Sequence, residues 1–137
     1  MKRHYVRYTA EWVAGPMSFW VHADPDAWYP TGARRPRPAA PRGIRPVPGR
    51  GYPAFYLEVS DFTFCFASLE ELRACIGTLS PRVLPSTIAE SRGTEYGPNN
   101  HWLSRLPAQL LTWARRQKVV KYLAEALSDF EDQMAKA

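Results

Sequence analysis

The chain has 137 residues, of which 45% are hydrophobic and 13% aromatic, and it carries a formal net charge of +5 at pH 7. This length suits one domain over residues 1–137 with a single hydrophobic core, and the hydrophobic content excludes an intrinsically disordered chain. The excess of positive charge favours anionic partners.

The first predicted hairpin covers the first 23 residues. Residues 4–14 (HYVRYTAEWVA) alternate between apolar and polar side chains, with Val6 on one face and Arg7 on the other. This period of two predicts a half-buried strand. A turn at Gly15 and Pro16 follows, and residues 17–23 (MSFWVHA) alternate again, so we predict that they form the partner strand.

The second predicted hairpin shows the strongest pattern in the chain. In residues 53–68 (PAFYLEVSDFTFCFAS), Phe55, Leu57 and Val59 alternate with polar or smaller neighbours, and three phenylalanines alternate after a tight turn at 60–61. Side chains of a strand point alternately to its two faces. We therefore predict that the four strands form an antiparallel sheet with one buried face.

Two helices are predicted after the sheet. Ser68 with Glu71 three residues later is a capping box, which starts a short amphipathic helix over residues 69–79. From residue 101 onward the chain is predicted to be helical, with an apolar stripe of Leu110, Trp113, Val120, Leu123, Leu127, Phe130 and Met134. The predicted fold class is thus α+β: a four-stranded antiparallel sheet packed on one face by a short helix and a long C-terminal helix.

The long helix carries its charges in an unusual order. Cations come first, at Arg115, Arg116, Lys118 and Lys121, and acidic residues come last. This order opposes the helix dipole, which favours anions at the N-terminus. Either the basic half faces a ligand or another part of the protein, or the order is unselected; a cationic helix face is usually only solvated.

The segment 24–53 joins the two predicted hairpins and contains eight of the 13 prolines. Proline at this density excludes helix and central strand and favours polyproline II. The segment also carries six arginines and, between residues 31 and 51, no acid: Arg34, Arg35, Arg37, Arg42, Arg45 and Arg50. Guanidinium groups pair with phosphate oxygens in a bidentate geometry, so this arm is a candidate contact for an anionic polymer or an acidic protein surface.

Two other interpretations of the arm stay open. A connection of about 30 residues with biased composition can be a solvated loop, because lengthening a loop costs only about 0.6 kcal/mol per doubling. The spacing of Arg35, Pro38 and Pro41 also fits a ligand of an SH3-type domain.

A second candidate surface is the sheet face opposite the phenylalanines. Alternation places Arg7, Trp20 and Tyr56 there, a combination of aromatic rings and positive charge that resembles in chemistry the platforms on which unpaired bases stack. The alternative is that the long C-terminal helix or a second subunit covers this face.

The sequence offers little for catalysis or metal binding. Nucleophile-elbow and phosphate-loop motifs are absent, the three histidines lack metal-ligand spacing, and two cysteines form neither a disulfide framework nor a zinc site. A pair of His22 and Cys65 on the outer sheet face is conceivable, but a cysteine among phenylalanines is usually a buried apolar residue. We expect no catalytic residues, no metal and no cofactor.

These patterns lead to two functional hypotheses. The first is a small non-catalytic accessory protein that binds nucleic acid or a ribonucleoprotein through the arm and the basic helix face. The second is a protein–protein interaction module, an inhibitor or adaptor and possibly a homodimer, that uses the aromatic sheet face. No stretch approaches the roughly 18 apolar residues of a membrane span and no signal peptide is evident, so we expect a cytoplasmic setting and no membrane partner.

Overall fold

A computed structural model of the chain describes residues 2–22, 43–84 and 102–137. Its three strands are β1 (Lys2–Thr9), β2 (Tyr52–Val59) and β3 (Phe62–Phe66). They form one antiparallel sheet in the order β1-β2-β3, so β2 is central. The α+β class is correct, but the predicted number of four strands is wrong, because the sheet has three.

The error lies in the first predicted hairpin. Strand β1 ends at Thr9 and pairs with β2 along its whole length instead of with residues 17–23. That segment instead contains a single helical turn, α1 (Ser18–Val21). Ser18 is fully buried, and its hydroxyl accepts a hydrogen bond from the Gly15 amide and donates one to Glu71. These contacts hold the segment in a turn despite its strand-like alternation.

The second predicted hairpin is confirmed. Val59 pairs with Phe62, which leaves Ser60 and Asp61 as a two-residue loop. Ser60 has a φ of 53°, and a positive φ is a property of the tight loops that match the twist of two-stranded hairpins. Local alternation and turn spacing were therefore sufficient to predict this unit.

The short predicted helix is also confirmed, and the long one begins later than predicted. Helix α2 spans Leu69–Leu79, and the Ser68 hydroxyl caps it by accepting from the Glu71 amide. Helix α3 spans Trp113–Ala135, while the preceding residues form two short 3-10 turns, Trp102–Arg105 and Ala108–Leu110. No helix among the described residues is long and apolar enough to cross a membrane.

Both helices contribute to one core on the inner face of the sheet. Phe55, Leu57 and Phe64 of the sheet belong to the same buried cluster as Leu72 of α2 and Phe130 of α3. The rings of Phe55 and Phe130 have centroids 5.0 Å apart. The core therefore fixes which face of the sheet is left for other contacts.

A tight turn leads the chain into β2. Val47 and Gly51 form an isolated β-bridge, and Gly51 has a φ of 111°. A Cβ at Gly51 would collide with the carbonyl oxygen of Thr9. Glycine is required here because the turn packs directly against the end of β1.

Candidate functional site

The outer face of the sheet presents two tyrosines directly opposite each other. Tyr5 of β1 pairs with Tyr56 of the central strand, and both side chains are half-buried. Their rings are stacked, with centroids 5.3 Å apart and planes 8° from parallel. Cross-strand aromatic pairs of this kind stabilise a sheet and hold both rings rigidly in place.

Two arginines flank this tyrosine pair on the same strand face. The guanidinium of Arg3 lies 4.8 Å from the centroid of the Tyr5 ring and that of Arg7 lies 5.2 Å from it. Arg7 also lies 6.0 Å from the Tyr56 centroid. Cation–π attraction therefore orders both guanidinium groups before any ligand arrives. We call Arg3, Tyr5, Arg7 and Tyr56 the arginine–tyrosine patch.

The two arginines differ in their electrostatic surroundings. Arg3 has a neighbour in Glu58, whose carboxylate lies 3.6 Å from the Arg3 Nε. Within the described part of the chain, no carboxylate lies within ion-pair distance of Arg7. Exposed and held by rings, Arg7 keeps its N–H donors available for an anionic ligand.

Cys65 lies beside Tyr56 on the outer face and is a thiol at neutral pH. Burial raises the pKa of Cys65 above its ordinary value; a hydrogen bond from Tyr56 opposes this and the charge of Glu71 adds to it. Electrostatic interaction with Cys65, followed by burial, raises the pKa of Tyr56 as well. A protonated thiol is a poor nucleophile, so this environment is unfavourable for cysteine catalysis.

One end of the outer face is closed by a small second cluster. Trp12 and Ala67 are buried there, and Ile44 and Tyr52 pack against them. Helix α3 packs on the opposite face, where Phe130 contacts Phe55. The alternative that the long helix covers the outer face is therefore wrong.

The predicted arm lies largely outside the described residues, including Arg34, Arg35, Arg37 and Arg42. Arg45 and Arg50, at its end, are exposed. The Arg50 guanidinium lies 5.5 Å from the centroid of the Tyr8 ring, at the edge strand. The structure thus places one arm arginine against β1.

The predicted sheet residue Trp20 is not on the sheet. It belongs to α1, because the segment that was predicted as a strand is helical. His22, predicted on the outer face as a partner of Cys65, follows α1 and points its Nε2 at Ser68 Oγ, 2.7 Å away, and at Glu71 Oε2, 3.3 Å away. This places the histidine in a hydrogen-bonded cluster around α2.

The predicted cations of the long helix separate into two groups. Arg115, Lys118 and Lys121 are exposed, as a binding role requires. Arg116 is only 3% exposed and donates hydrogen bonds to four backbone carbonyl oxygens. The prediction that Arg116 lies on the basic helix face is wrong, because its side chain is buried and its donors are used by those carbonyls.

Sequence reasoning missed Arg3 and Tyr5, which lie at the centre of the patch. Both are an even number of residues from Arg7 in β1 and therefore lie on the same face of the strand. Extending the predicted strand toward the N-terminus would have found them. No group of three or more metal-ligating side chains occurs among the residues that the structure describes. Comparison with protein-family models, curated proteins and solved structures finds no match to this chain.

Proposed function

We propose that this protein binds single-stranded nucleic acid, without catalysis, through the arginine–tyrosine patch. The observation that carries the proposal is the stacked Tyr5–Tyr56 pair with two guanidinium groups held over it. Aromatic rings and arginine planes stack on unpaired bases of any sequence, and arginine pairs with the phosphates between them. The arm arginines would add phosphate contacts, whereas the exposed cations of α3 lie on the other side of the sheet from the patch.

The ordering of the arginines supports an efficient contact. A free arginine side chain loses about 2 kcal/mol of rotamer entropy when it is fixed. Arg3 and Arg7 are already restrained by Tyr5 in the unbound protein, so less entropy is left to lose on docking. The net charge of +5 would attract a polyanion to the protein.

Two pairs of substitutions test the patch. Fluorescence anisotropy with labelled single-stranded DNA and RNA oligonucleotides would measure affinity at several salt concentrations. We expect Tyr5→Ala with Tyr56→Ala to weaken binding about tenfold or more, since stacking contributes about 1–3 kcal/mol per base. The slope of log K against log salt concentration depends on the number of phosphates that the protein contacts. We expect Arg3→Gln with Arg7→Gln to reduce the magnitude of this slope by about 1.4, which is about 0.7 for each lost phosphate contact.

The control is Arg73→Gln. Arg73 is an exposed arginine of α2 that pairs with Glu70 and Glu131, away from the sheet face. It changes the net charge by one without touching the patch, so we expect it to weaken binding only slightly. Patch variants that bind as tightly as Arg73→Gln would rule the patch out as the binding surface.

The competing function is a protein–protein interface at the same patch. Tyrosine and arginine are enriched at the energetic centres of such interfaces, and Tyr5 and Tyr56 already share an aromatic surface. Size-exclusion chromatography with light scattering separates the two: a dimer that persists at high salt favours the interface, and a monomer that binds oligonucleotide at low salt favours nucleic acid.

In either case the free thiols of Cys65 and Cys75 suit a reducing, cytoplasmic setting.

A further inference from the structure

A small cavity lies on the other side of β1 from the patch, between the sheet and the first three turns of α3. Its volume is about 90 Å³. It opens beside the β2–β3 loop and is lined by Lys2, Val59, Ser60, Leu110, Arg115, Lys118, Val119 and Tyr122. We call it the Lys2–Lys118 pocket.

Three cations converge on this pocket from two elements. Arg115 and Lys118 are three residues apart on α3 and therefore lie on the same face of the helix as Tyr122. Lys2 enters from the opposite side, and its Nζ lies 5.8 Å from the centroid of the Tyr122 ring. No acidic residue lines the pocket, so the three charges repel one another unless an anion sits between them.

The nearest carboxylates do not neutralise these cations. Burial, followed by the charges of Glu125, Glu58 and Asp129, raises the pKa of Tyr122, so these three acids lie close enough to Tyr122 to act on it. Glu58 is paired with Arg3, and the carboxylate of Asp129 lies 2.8 Å from His4 Nε2. For the described residues, no ion pair involves a cation of the pocket.

The order of charges along α3 also favours an anion in this pocket. Its first turn contains no acidic residue, and Thr112 makes no side-chain capping hydrogen bond. Cations at a helix N-terminus are unfavourable by a few tenths of a kcal/mol each. A bound anion would offset this cost, because it would interact favourably with Arg115 and Lys118 in the pocket.

We propose that the Lys2–Lys118 pocket binds a single phosphate group. A volume of about 90 Å³ is far below the roughly 300 Å³ of pockets that enclose a whole small-molecule ligand. One water needs about 10–15 Å³ of such space, so the pocket has room for more than one water and suits one tetrahedral oxyanion. Ser60 also lines it, and its hydroxyl is a donor to phosphate oxygens, whereas the Tyr122 hydroxyl is hydrogen-bonded to His4 Nδ1 at 3.1 Å. The group is either inorganic phosphate or the monoester phosphate at the end of a larger ligand, and the proposal is independent of the patch.

The test is a titration of the full chain with inorganic phosphate, in which NMR monitors the chemical shifts of the backbone amides. Sodium chloride keeps the ionic strength constant throughout. We expect saturable shifts at Ser60 and in the first turns of α3. Lys118→Gln and Arg115→Gln should each weaken this binding about tenfold, since hydrogen bonds to charged groups contribute about 1.5–3 kcal/mol and 1.4 kcal/mol is tenfold.

Lys121→Gln is the matched control. It removes one exposed cation of the same helix that does not line the pocket, and binding should stay within about twofold of the wild-type value. Each spectrum also reports whether the variant is folded. Shifts that do not saturate, or that are the same in all three variants, would overturn the proposal.

A second set of titrations distinguishes the free phosphate ion from a terminal phosphate monoester. A nucleoside 5′-monophosphate and the corresponding nucleoside would be titrated in the same way. Binding of the monophosphate and of inorganic phosphate, but not of the nucleoside, supports a site for terminal phosphates. Binding of inorganic phosphate alone supports a site for the free ion, and equal shifts with the nucleoside would contradict recognition of phosphate.

Discussion

Replacing Arg116 by alanine is expected to lower the free energy of unfolding by about 3–4 kcal/mol. The Arg116 side chain is 3% exposed and donates from Nε to the carbonyl of Leu79, 3.0 Å away, and from Nη2 to that of Pro81, 2.9 Å away. It also donates to the carbonyls of Arg82 and Leu111. Alanine would leave the buried carbonyl of Leu79 and three partly buried carbonyls without this partner, which costs about 1–3 kcal/mol for each group that water does not reach.

The position of Arg116 explains why the loss would be global. Leu79 is the last residue of α2, and Leu111 precedes α3, so one guanidinium ties the end of one helix to the start of the next. A cation at a helix C-terminus also interacts favourably with the helix dipole. Lysine keeps the charge but lacks the planar fork of donors, so we expect Arg116→Lys to cost about 2 kcal/mol.

Urea denaturation followed by circular dichroism would measure these changes. Lys121→Ala is the control, because Lys121 is an exposed cation five residues further along the same helix. It should change the free energy of unfolding by less than about 0.5 kcal/mol. If Arg116→Ala unfolds at the same urea concentration as Lys121→Ala, the assignment of Arg116 as a structural residue is wrong.

Replacing Glu71 by alanine is expected to cost about 3 kcal/mol. The Glu71 carboxylate has no solvent exposure and accepts hydrogen bonds from Ser18 Oγ at 2.9 Å, Ser68 Oγ at 3.2 Å and the Ala67 amide at 3.3 Å. His22 Nε2 lies 3.3 Å from the same carboxylate. Removing one member of a buried polar network leaves the others desolvated and unpaired.

Glu70→Ala provides a close control for Glu71. Glu70 precedes it in the first turn of α2 but is exposed, with only a 3.7 Å ion pair to Arg73. Thermal unfolding should show a loss of about 10 °C for Glu71→Ala, at about 3–4 °C per kcal/mol for a chain of this size, and of at most a few degrees for Glu70→Ala. Glu71→Gln, which keeps the shape and one acceptor oxygen, should lie between them. Equal melting temperatures for the two alanine variants would contradict the network.

The parts of the fold that depend on near neighbours in the chain were predictable. The β2–β3 hairpin follows from alternation around a two-residue loop, and α2 follows from the Ser68–Glu71 cap and its helical spacing. Each of these signals lies within about 20 residues, where local geometry decides the structure.

The parts that depend on distant contacts were not predictable. Residues 17–21 alternate like a strand, but the hydroxyl of Ser18 finds Glu71, 53 residues away, and the segment turns into α1. Strand β1 pairs with β2 across more than 40 residues. A period of two shows that a segment can be a strand, but it does not name the partner strand.

The same distinction applies to the binding residues. The alternation of β1 already assigns Arg3 and Tyr5 to the same face as Arg7, but the stacking of Tyr5 against Tyr56 depends on the register with β2. In the sequence, Arg116 is indistinguishable from the exposed cations beside it. Only the tertiary structure brings the carbonyls of Leu79 and Pro81 to its side chain. Charge alone predicts a partner of opposite sign and does not reveal whether that partner is internal.

Mapping the shifts of the backbone amides during titration with an unlabelled single-stranded oligonucleotide would show whether the arginine–tyrosine patch binds nucleic acid. If the patch binds nucleic acid, the largest saturable shifts will fall on the amides of Arg3 to Arg7 in β1 and around Tyr56 in β2, and raising the salt concentration will weaken them. An oligonucleotide that leaves these amides unchanged at low salt would contradict the account, whatever shifts appear elsewhere in the chain.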